Sequence, residues 1–374
     1  MTGAAPRLAT AIGAISGTSM DGIDVAVISS DGEYVVEPGP GATFAYPAAT
    51  RRALREVIGD AKAARGALDD LQRAVTDAHV AAVQAFMREY GLDSRSVALI
   101  GLHGQTILHR PSERFTRQLC DGARAARALG IDVVNDFRSG DVAAGGEGAP
   151  LVPLYHAAIA VGAERPLMIL NWGGVGNVTY LGAEGEIVAF DTGPANALLD
   201  DFLLRRRGLS HDANGALAAS GAVDRDVVDD LLRDAYFTRP PPKSLDRNHF
   251  HEAARRVEAL TDADGAATLA AFTVEATALA ARYFPRKPAR WLVTGGGRRN
   301  ATLMRALRDR LDAVVEPIEA IAFDGDQLEA QCFAYLALRS RRGLPLSLPT
   351  TTGAKAPTTG GVYWPAPRGD LGRG

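Results

Sequence analysis

Short apolar runs separated by glycine-rich polar turns recur along the chain and determine its predicted secondary structure. Residues 11–16 and 23–28 are apolar runs that predict strands, and the turn between them carries small and polar side chains. The arrangement recurs at residues 167–171 and 178–181, which flank a second glycine-rich turn, and a third run follows at 187–190. We therefore expect one strand–turn–strand architecture to be present twice.

Helical patterns lie between the predicted strands. Apolar positions spaced by three and four predict a helix over residues 71–86, and Gly91 would end it in a left-handed conformation. Strands followed by helices, twice, favour an α/β fold class with two domains that face each other across a cleft. The predicted boundaries are an N-terminal domain at 1–135, a C-terminal domain at 136–349, and a tail at 350–374 that either returns to the first domain or stays apart from it.

Composition narrows the class of protein. The 374 residues are 47% hydrophobic and 23% charged, and the net charge of −3 offers no basic surface for nucleic acid or an anionic membrane. No apolar run reaches the roughly 20 residues of a membrane span and no secretory leader pattern is present, so we expect a cytoplasmic protein. Cys120 and Cys332 are too few for a disulfide framework or a thiolate zinc site.

The first turn, residues 17–24, has the composition of a phosphate-binding turn. Backbone N–H groups, the hydroxyls of Thr18 and Ser19 and the carboxylate of Asp21 come with little side-chain bulk, so a polyphosphate could approach the backbone. An ordinary hairpin stays open as an alternative. Neither a Gly-x-x-x-x-Gly-Lys-Ser/Thr loop nor a Gly-x-Gly-x-x-Gly fingerprint accompanies the turn.

Asp191 is the candidate for the chemical step. It follows an apolar strand and precedes residues with helical spacing from Ala197, so a carboxylate and a helix start lie side by side. A base near the acceptor and backbone donors aimed at a phosphate both favour phosphoryl transfer. An aspartate that caps the helix would fit the same position.

Further polar positions are individually ambiguous. The glycines at 295–297 would let a flat or charged group approach the backbone, and His103 with Gln105 places polar groups at the end of a strand. Glu329 begins a helical run, and Lys243 follows a stiff proline segment. Each of these features is also typical of an ordinary loop, a solvated first helical turn or a structural histidine.

The order of these segments resembles that of the anhydro-N-acetylmuramic acid kinase family, from about residue 11 to the Tyr-Trp-Pro sequence at 363–365. The Gly-Thr-Ser-Met-Asp-Gly sequence at 17–22 and the Asp-Thr-Gly-Pro sequence at 191–194 are highly specific in combination. The matching segments are residues 17–24, 103–106, 136–138, 141 with 145–153, 171–177, 190–196, 241–244, 295–300 and 329–330.

The resemblance implies the actin, Hsp70 and sugar-kinase superfamily. Its fold has two ribonuclease-H-like (actin-like ATPase) domains with mixed β-sheets flanked by helices, and an ATP cleft between them. Members of the family use ATP and water to convert 1,6-anhydro-N-acetylmuramic acid into N-acetylmuramic acid 6-phosphate and ADP, during recycling of cell-wall peptidoglycan. The resemblance therefore implies a small amino-sugar substrate, no nucleic-acid or membrane partner, and a homodimer as an option.

The resemblance also implies roles for individual residues. Asp191 would be the catalytic base that takes a proton from the attacking water, and Asp21 or Asp24 would reach a hydrated Mg²⁺ ion. The implied nucleotide-binding residues are Gly17, Thr18, Ser19, Met20, Asp21, Gly22, Ile23, Asp24, Gly174, Asn177, Gly193, Gly295, Gly296, Gly297 and Asn300. The implied sugar-binding residues are His103, Gln105, Arg138 and Glu329.

Four positions depart from the family pattern, and one of them is Cys120, which precedes Asp121 where a glycine is usual. Ala195 stands where a second glycine is usual, Glu147 where a glutamine is usual, and Trp172 where a smaller aliphatic residue is common. None of them removes a proposed catalytic group, so they affect fine positioning more than the class of reaction.

Two other functions stay open. Another hexosamine or sugar kinase of the same superfamily would phosphorylate an open sugar directly, although the common bacterial enzymes of that kind carry a cysteine-rich zinc motif that two isolated cysteines do not make. A chaperone or filament-forming ATPase would need a peptide-binding extension or a polymerising surface. The superfamily core leaves little chain for such an extension.

Overall fold

The computed structural model describes residues 7–17, 20, 22–284 and 286–367. Contacts between residues divide the chain into two compact units. Unit 1 combines Met1–Val161 with Gln327–Gly374, and unit 2 is Gly162–Asp326.

Strands and helices alternate through both units. The first part of unit 1 contains β1 (Ala9–Ser16), β2 (Ile23–Ser30), β3 (Val36–Phe44), α1 (Ala48–Val57), α2 (Ala61–Arg65), α3 (Asp69–Glu89), β4 (Leu99–Arg110), β5 (Phe115–Leu119), α4 (Gly122–Leu129), β6 (Val133–Asn135), α5 (Ser139–Ala143) and α6 (Pro153–Ile159). Unit 2 contains β7 (Leu167–Trp172), β8 (Val175–Leu181), β9 (Ile187–Pro194), α7 (Asn196–Arg207), α8 (Ala216–Ser220), α9 (Arg225–Leu231), α10 (Asp262–Leu279), β10 (Arg290–Thr294), α11 (Ala301–Arg310) and β11 (Val314–Pro317). The chain returns to unit 1 with α12 (Leu328–Arg341), α13 (Pro349–Thr352) and β12 (Val362–Trp364).

The sheets of both units share one strand order. In unit 1, β1, β2 and β3 form an antiparallel meander, and β4 and then β6 continue the sheet parallel to β1. In unit 2, β7, β8 and β9 form the meander, and β10 and β11 continue it parallel to β7. An antiparallel meander extended by two parallel strands is the ribonuclease-H-like arrangement. The predicted duplication and the α/β fold class with mixed sheets are therefore confirmed.

The predicted helix at residues 71–86 lies inside α3 and is confirmed. Its buried face includes Val75, Val83 and Phe86, which recur at helical spacing and pack on the sheet of unit 1. The chain leaves the helix through Gly91, which has a φ of 62°, and the next amide donates back to the Met87 carbonyl at 2.8 Å.

The division into units differs from the predicted domain boundaries. Residues 136–161 and 327–349 belong to unit 1, whereas the sequence pattern predicts a boundary after residue 135 and a C-terminal domain that runs to residue 349. The reason is α12, which packs on β1, β2 and β4. The end of the described chain also joins unit 1, because β12 pairs antiparallel with β6.

Two glycines allow α12 to lie directly on the sheet. Gly13 in β1 is paired with Gly101 in β4. An ideal Cβ on Gly13 would lie 1.8 Å from the Ala330 carbonyl oxygen, and one on Gly101 would lie 2.1 Å from that of Phe333. Side chains at these positions would therefore collide with the helix backbone. The absence of side chains at the two glycines lets α12 pack directly against the strand backbones.

Helix α10 is the central helix of unit 2. It contacts α7, α8, α9 and α11, and it is buried along most of its length. The sheet supplies two fully buried tryptophans to the same core, Trp172 and Trp291.

Within the described part of the chain, no helix combines the length and apolar character that a membrane crossing requires.

Because a histidine is buried, we expect the free energy of unfolding to fall in mild acid. His79 on α3 is 1% exposed, and burial lowers the pKa of its imidazole from 6.5 to about 4. Between these two values the unfolded chain binds a proton that the folded chain does not, so stability falls as the pH is lowered through that window. We expect this residue to contribute about 2 kcal/mol to the fall in unfolding free energy between pH 7 and pH 5.

Urea denaturation at the two pH values measures the effect in wild type, in His79→Leu and in a control at the exposed His211, His211→Leu. The fall should be about 2 kcal/mol smaller in His79→Leu than in the other two proteins. Equal falls in all three would contradict the prediction.

Candidate active site

The turn after β1 is tightly folded where the structure describes it. The Gly17 carbonyl accepts a hydrogen bond from the Met20 amide at 3.1 Å, and Met20 has a φ of 57° and is 8% exposed. An ideal Cβ on Gly22 would lie 2.4 Å from Thr43 Cγ2 in β3, so a larger residue does not fit there. The other predicted phosphate contacts of this turn lie outside the described residues: Thr18, Ser19 and Asp21.

A buried polar network supports this turn from the end of β1. Ser16 Oγ donates to Gln105 Oε1 at 2.8 Å, and the Tyr46 hydroxyl lies 2.8 Å from Ser16 Oγ. Gln105 Nε2 donates to the Gly17 carbonyl at 3.1 Å. Gln105, a predicted sugar contact, is 0% exposed, and its buried amide supports the turn through this hydrogen bond.

His103 and Arg138, both predicted sugar contacts, are brought together in unit 1. Arg138 Nε donates to His103 Nε2 at 3.0 Å, and because that ring nitrogen accepts, Nδ1 carries the proton and donates to the Gly104 carbonyl at 3.0 Å. Burial lowers the pKa of His103, and the neighbouring Arg138 charge lowers it further. The histidine is therefore neutral, 4% exposed, and acts by orienting Arg138.

Arg138 is fixed at a second point by the glycine-rich loop that follows α5. Its Nη1 donates to the Gly148 carbonyl at 2.8 Å, and the Gly148 amide donates to the buried carboxylate of Asp141 at 2.7 Å. Burial lowers the pKa of Arg138, whereas the nearby charge of Glu329 raises it. The exposed Glu329, at the start of α12, thus belongs to the same cluster of unit 1 as predicted residues Arg138 and His103.

Polar residues form one row across the sheet of unit 2. Thr294 in β10 is paired with Asn171 in β7. Asn171 is paired with Asn177 in β8, which is paired in turn with Asp191 in β9. Directly paired residues point to the same face of a sheet. The row places the predicted residues Asn177 and Asp191 side by side and adds Asn171, to which the sequence pattern assigns no role.

Two glycine turns follow neighbouring parallel strands of unit 2. Gly295, with a φ of 73°, packs so closely that an ideal Cβ would lie 2.3 Å from Asn171 Oδ1, and one on Gly297 would lie 2.5 Å from Trp172 Cβ. Gly296 and Gly174 are exposed, and an ideal Cβ at either position would make only ordinary contacts, at 3.7 and 3.6 Å, so the backbone is accessible there. An accessible backbone without side chains fits a nucleotide, whose flat base and phosphates need close approach.

Asp191 does not cap α7, so that alternative is wrong. The N-cap residue is Ala195, which makes no side-chain hydrogen bond to the helix. The amides of Ala195 and Ala197 donate to the Gly174 carbonyl at 3.1 and 3.2 Å, and the Asn196 amide donates to the Gly173 carbonyl at 2.9 Å. The Gly173–Gly174 turn therefore satisfies the amides at the start of α7 without the Asp191 carboxylate.

The half-buried Asp191 is instead held by a loop that crosses the end of β9. The Leu245 amide donates to Asp191 Oδ2 at 2.8 Å, and the Asp191 amide donates to the Lys243 carbonyl at 3.0 Å. The Tyr236 hydroxyl donates to the Asp191 carbonyl. These contacts fix the backbone and one carboxylate oxygen of Asp191. The signal available in the sequence was the stiff proline segment before Lys243.

Two predicted nucleotide contacts have structural functions. Asn300 is 8% exposed and caps α11, because its Oδ1 accepts from the Leu303 amide at 3.0 Å. An ideal Cβ on Gly193 would lie 2.9 Å from Ala276 Cβ, so this glycine permits close packing of β9 on α10.

The described residues do not form a protein cage for Mg²⁺. Among residues 7–17, 20, 22–284 and 286–367, no three His, Cys, Asp or Glu side chains are grouped so that they could hold a metal ion. Asp24 accepts a hydrogen bond from Thr43 Oγ1 at 2.6 Å. A Mg²⁺ ion near one carboxylate would take most of its remaining ligands from water and from the phosphates of the nucleotide.

Comparison with known proteins finds relatives of nearly the whole chain. Residues 9–366 match the family described as anhydro-N-acetylmuramic acid kinase. The protein of that name from Rhodospirillum rubrum is 53% identical over 359 residues, which cover 95% of this chain and 94% of the relative. The one from Paramagnetospirillum magneticum is 53% identical over 354 residues, which cover 94% of this chain and 99% of the relative. Among solved structures, the activator of the 2-hydroxyisocaproyl-CoA dehydratase from Clostridium difficile with bound ADPNP is similar over 89% of this chain and 96% of that chain, at 10% identity and a TM-score of 0.46.

Proposed function

The chain belongs to the anhydro-N-acetylmuramic acid kinase family, and on that premise we propose that it is an ATP-dependent kinase acting on 1,6-anhydro-N-acetylmuramic acid. The products are N-acetylmuramic acid 6-phosphate and ADP, in the recycling of cell-wall peptidoglycan. The observation that carries the proposal is identity of 53% to a relative of that name over 95% of the chain.

The proposed reaction changes two bonds of the sugar. A water oxygen bonds to C1 and loses a proton, the C1–O6 bond breaks, and O6 takes the γ-phosphoryl group that bound ATP supplies. Asp191 is the proposed base for the water proton, a role usually worth about 10² to 10⁴ in rate. Its support is the fixed carboxylate, since the Leu245 amide holds Oδ2 at 2.8 Å and Asn177 is its direct neighbour in β8.

Nucleotide binding is proposed at the glycine turns. In unit 1, residues 17–24 offer a tight turn that the buried amide of Gln105 supports. In unit 2, the exposed backbone at Gly174 and Gly296 is the part of the glycine turns that could contact a nucleotide. Asp21 and Asp24 are the two carboxylates proposed to reach a hydrated Mg²⁺ ion, and of these two the structure describes Asp24.

Sugar binding is proposed at the cluster in unit 1. The Arg138 guanidinium suits the lactyl carboxylate, which distinguishes muramic acid from glucosamine, and two of its nitrogens are already fixed by His103 and Gly148. Such preorganisation lowers the entropy lost on binding. Glu329 suits the sugar hydroxyls.

A cytoplasmic location and a homodimer stay predictions.

A substrate panel tests the proposal. ADP release should be at least about 100-fold faster with 1,6-anhydro-N-acetylmuramic acid than with N-acetylglucosamine or glucose, because a site that pairs a buried charge discriminates strongly against a ligand that leaves it unpaired. In ¹⁸O-labelled water, the product should carry label at C1 and none in the phosphate. Preference for an open sugar would favour another sugar kinase of the superfamily. Label in the phosphate, or a product that keeps the anhydro bridge, would overturn the proposed chemistry.

A further inference from the structure

Lys243 is a lysine buried in an aromatic box beside Asp191. It is 4% exposed, and its Nζ donates to the Tyr236 carbonyl at 3.0 Å. The same Nζ lies 4.5 Å from the ring centroid of Tyr236, 5.0 Å from that of Tyr283 and 5.8 Å from that of Phe190. One carbonyl and three ring faces thus surround the ammonium.

A lysine in this position needs a compensating interaction. Removing an ammonium from water is costly unless opposite charge, hydrogen bonds or ring faces replace the lost hydration. Ring faces supply part of that replacement, and the Tyr236 carbonyl supplies one hydrogen bond. A methionine of similar length would fill the box without any such cost, so packing alone does not explain a charged residue here.

The box is connected to the proposed base by three hydrogen bonds. The Lys243 carbonyl accepts from the Asp191 amide, and two residues later the Leu245 amide donates to Asp191 Oδ2. Tyr236 contributes its ring and carbonyl to Lys243 and its hydroxyl to the Asp191 carbonyl. Anchoring the Lys243 side chain therefore fixes the short segment that sets the orientation of the Asp191 carboxylate.

The charges around the box are few and unequal. Burial is the largest cause that lowers the pKa of Lys243, the charges of Arg282 and Arg239 also lower it, and Asp191 raises it; together they bring the pKa from 10.5 to about 8. The groups that face the ammonium are Asp191 on β9, Tyr236 and Arg239 on the segment before the prolines, and Arg282 and Tyr283 after α10, with His249 and Asp234 paired to each other beyond Tyr236. At neutral pH the lysine is protonated. Of the two carboxylates in this set, Asp234 is paired with His249 and Asp191 is the one whose charge acts on the ammonium.

We propose that Lys243 is a positioning residue for Asp191: its boxed ammonium fixes the segment that orients the carboxylate, and its charge favours the ionised form. The inference rests on the proposed function, in which Asp191 takes a proton from water. An ionised and oriented carboxylate is what that step requires before the bond to C1 forms. When Asp191 takes the proton, the favourable pairing is lost, which helps to return the proton after the reaction.

Lys243→Met and Lys243→Arg separate charge from packing, and Lys287→Met at an exposed position of unit 2 is the matched control. Lys243→Met should lower kcat about 10- to 100-fold and move the acidic limb of the kcat/KM profile to higher pH by about one unit, because the carboxylate loses a favourable charge. Lys243→Arg should keep the acidic limb at the wild-type position. It should also remove any alkaline limb near pH 8, because a guanidinium does not titrate there.

The pH profile distinguishes this role from a merely structural one, which would lower activity at every pH without moving the limb. An acidic limb of Lys243→Met that coincides with that of wild type and of Lys287→Met would overturn the proposal. If Lys243→Met does not fold, Lys243→Arg decides, and an alkaline limb unchanged from wild type would overturn it.

A readout without turnover separates this inference from the proposed function. Carboxyl ¹³C titration of wild type, with the Asp191 signal assigned by its loss in Asp191→Asn, reports the ionisation of that carboxylate directly. A wild-type enzyme that is inactive on the anhydro sugar would overturn the proposed function. The Asp191 titration would still support the Lys243 inference if it moves to higher pH in Lys243→Met, and would overturn it if it does not move.

Discussion

Replacing Asp191 by asparagine should lower the turnover of 1,6-anhydro-N-acetylmuramic acid by about 10²- to 10⁴-fold and leave the Kd for ATP within about threefold of wild type. Asparagine has nearly the same shape and can still accept the hydrogen bond from the Leu245 amide that holds Oδ2 at 2.8 Å. It cannot take a proton from water. Initial rates of ADP release and calorimetric titration with ATP measure the two quantities.

The matched control is Asp226→Asn, an exposed aspartate in the first turn of α9. It should retain wild-type turnover. Turnover of Asp191→Asn within a few-fold of wild type would remove Asp191 from the role of base. Loss of ATP binding along with turnover would indicate a structural function instead.

Replacing Gly13 by alanine should destabilise unit 1 by about 3 kcal/mol or more. The added Cβ would lie 1.8 Å from the Ala330 carbonyl oxygen and 2.5 Å from the Ala334 amide nitrogen, both in the backbone of α12. Because backbone atoms cannot move away by changing a rotamer, the whole helix must shift from the sheet or the strand must bend. Urea denaturation monitored by circular dichroism measures the change in unfolding free energy.

Gly66→Ala is the control for this substitution. Gly66 has a φ of −76°, which alanine also adopts, and the nearest atom to an ideal Cβ is 3.2 Å away. Its effect should stay within about 1 kcal/mol. A loss of less than about 1 kcal/mol for Gly13→Ala would show that α12 does not rest on the sheet as described.

The local elements of the fold were predictable from the sequence because their signals are periodic and short in range. The helix at residues 71–86 and the strands flanking both glycine turns follow from spacing alone. The boundaries of the two units could not be predicted in this way. They depend on the packing of α12 on β1 and β4, which two residues far from α12 in sequence allow, Gly13 and Gly101. No pattern within α12 records which sheet it covers.

For the candidate site, the sequence proposed residues, and the structure shows which of them lie together and which are buried. Asp191 and Asn177 were both singled out, and the strand register makes them neighbours. Gln105 is as polar in the sequence as Arg138, yet it is 0% exposed and holds the Gly17 carbonyl. Burial decides between a ligand contact and a support, and burial is a property of the assembled chain.

The sequence by itself determined the repeated strand–turn–strand units, the family to which the chain belongs and the carboxylate on which its chemistry should depend. These features depend on residue order and short-range periodicity. Only the tertiary structure decided that the carbonyls of a glycine turn, and not the Asp191 carboxylate, accept from the amides at the start of α7. It also decided that the buried ammonium of Lys243 lies against the residues that hold Asp191. The physical reason is that hydrogen bonding and desolvation act between groups close in space, and folding brings together residues that the chain separates by tens of positions.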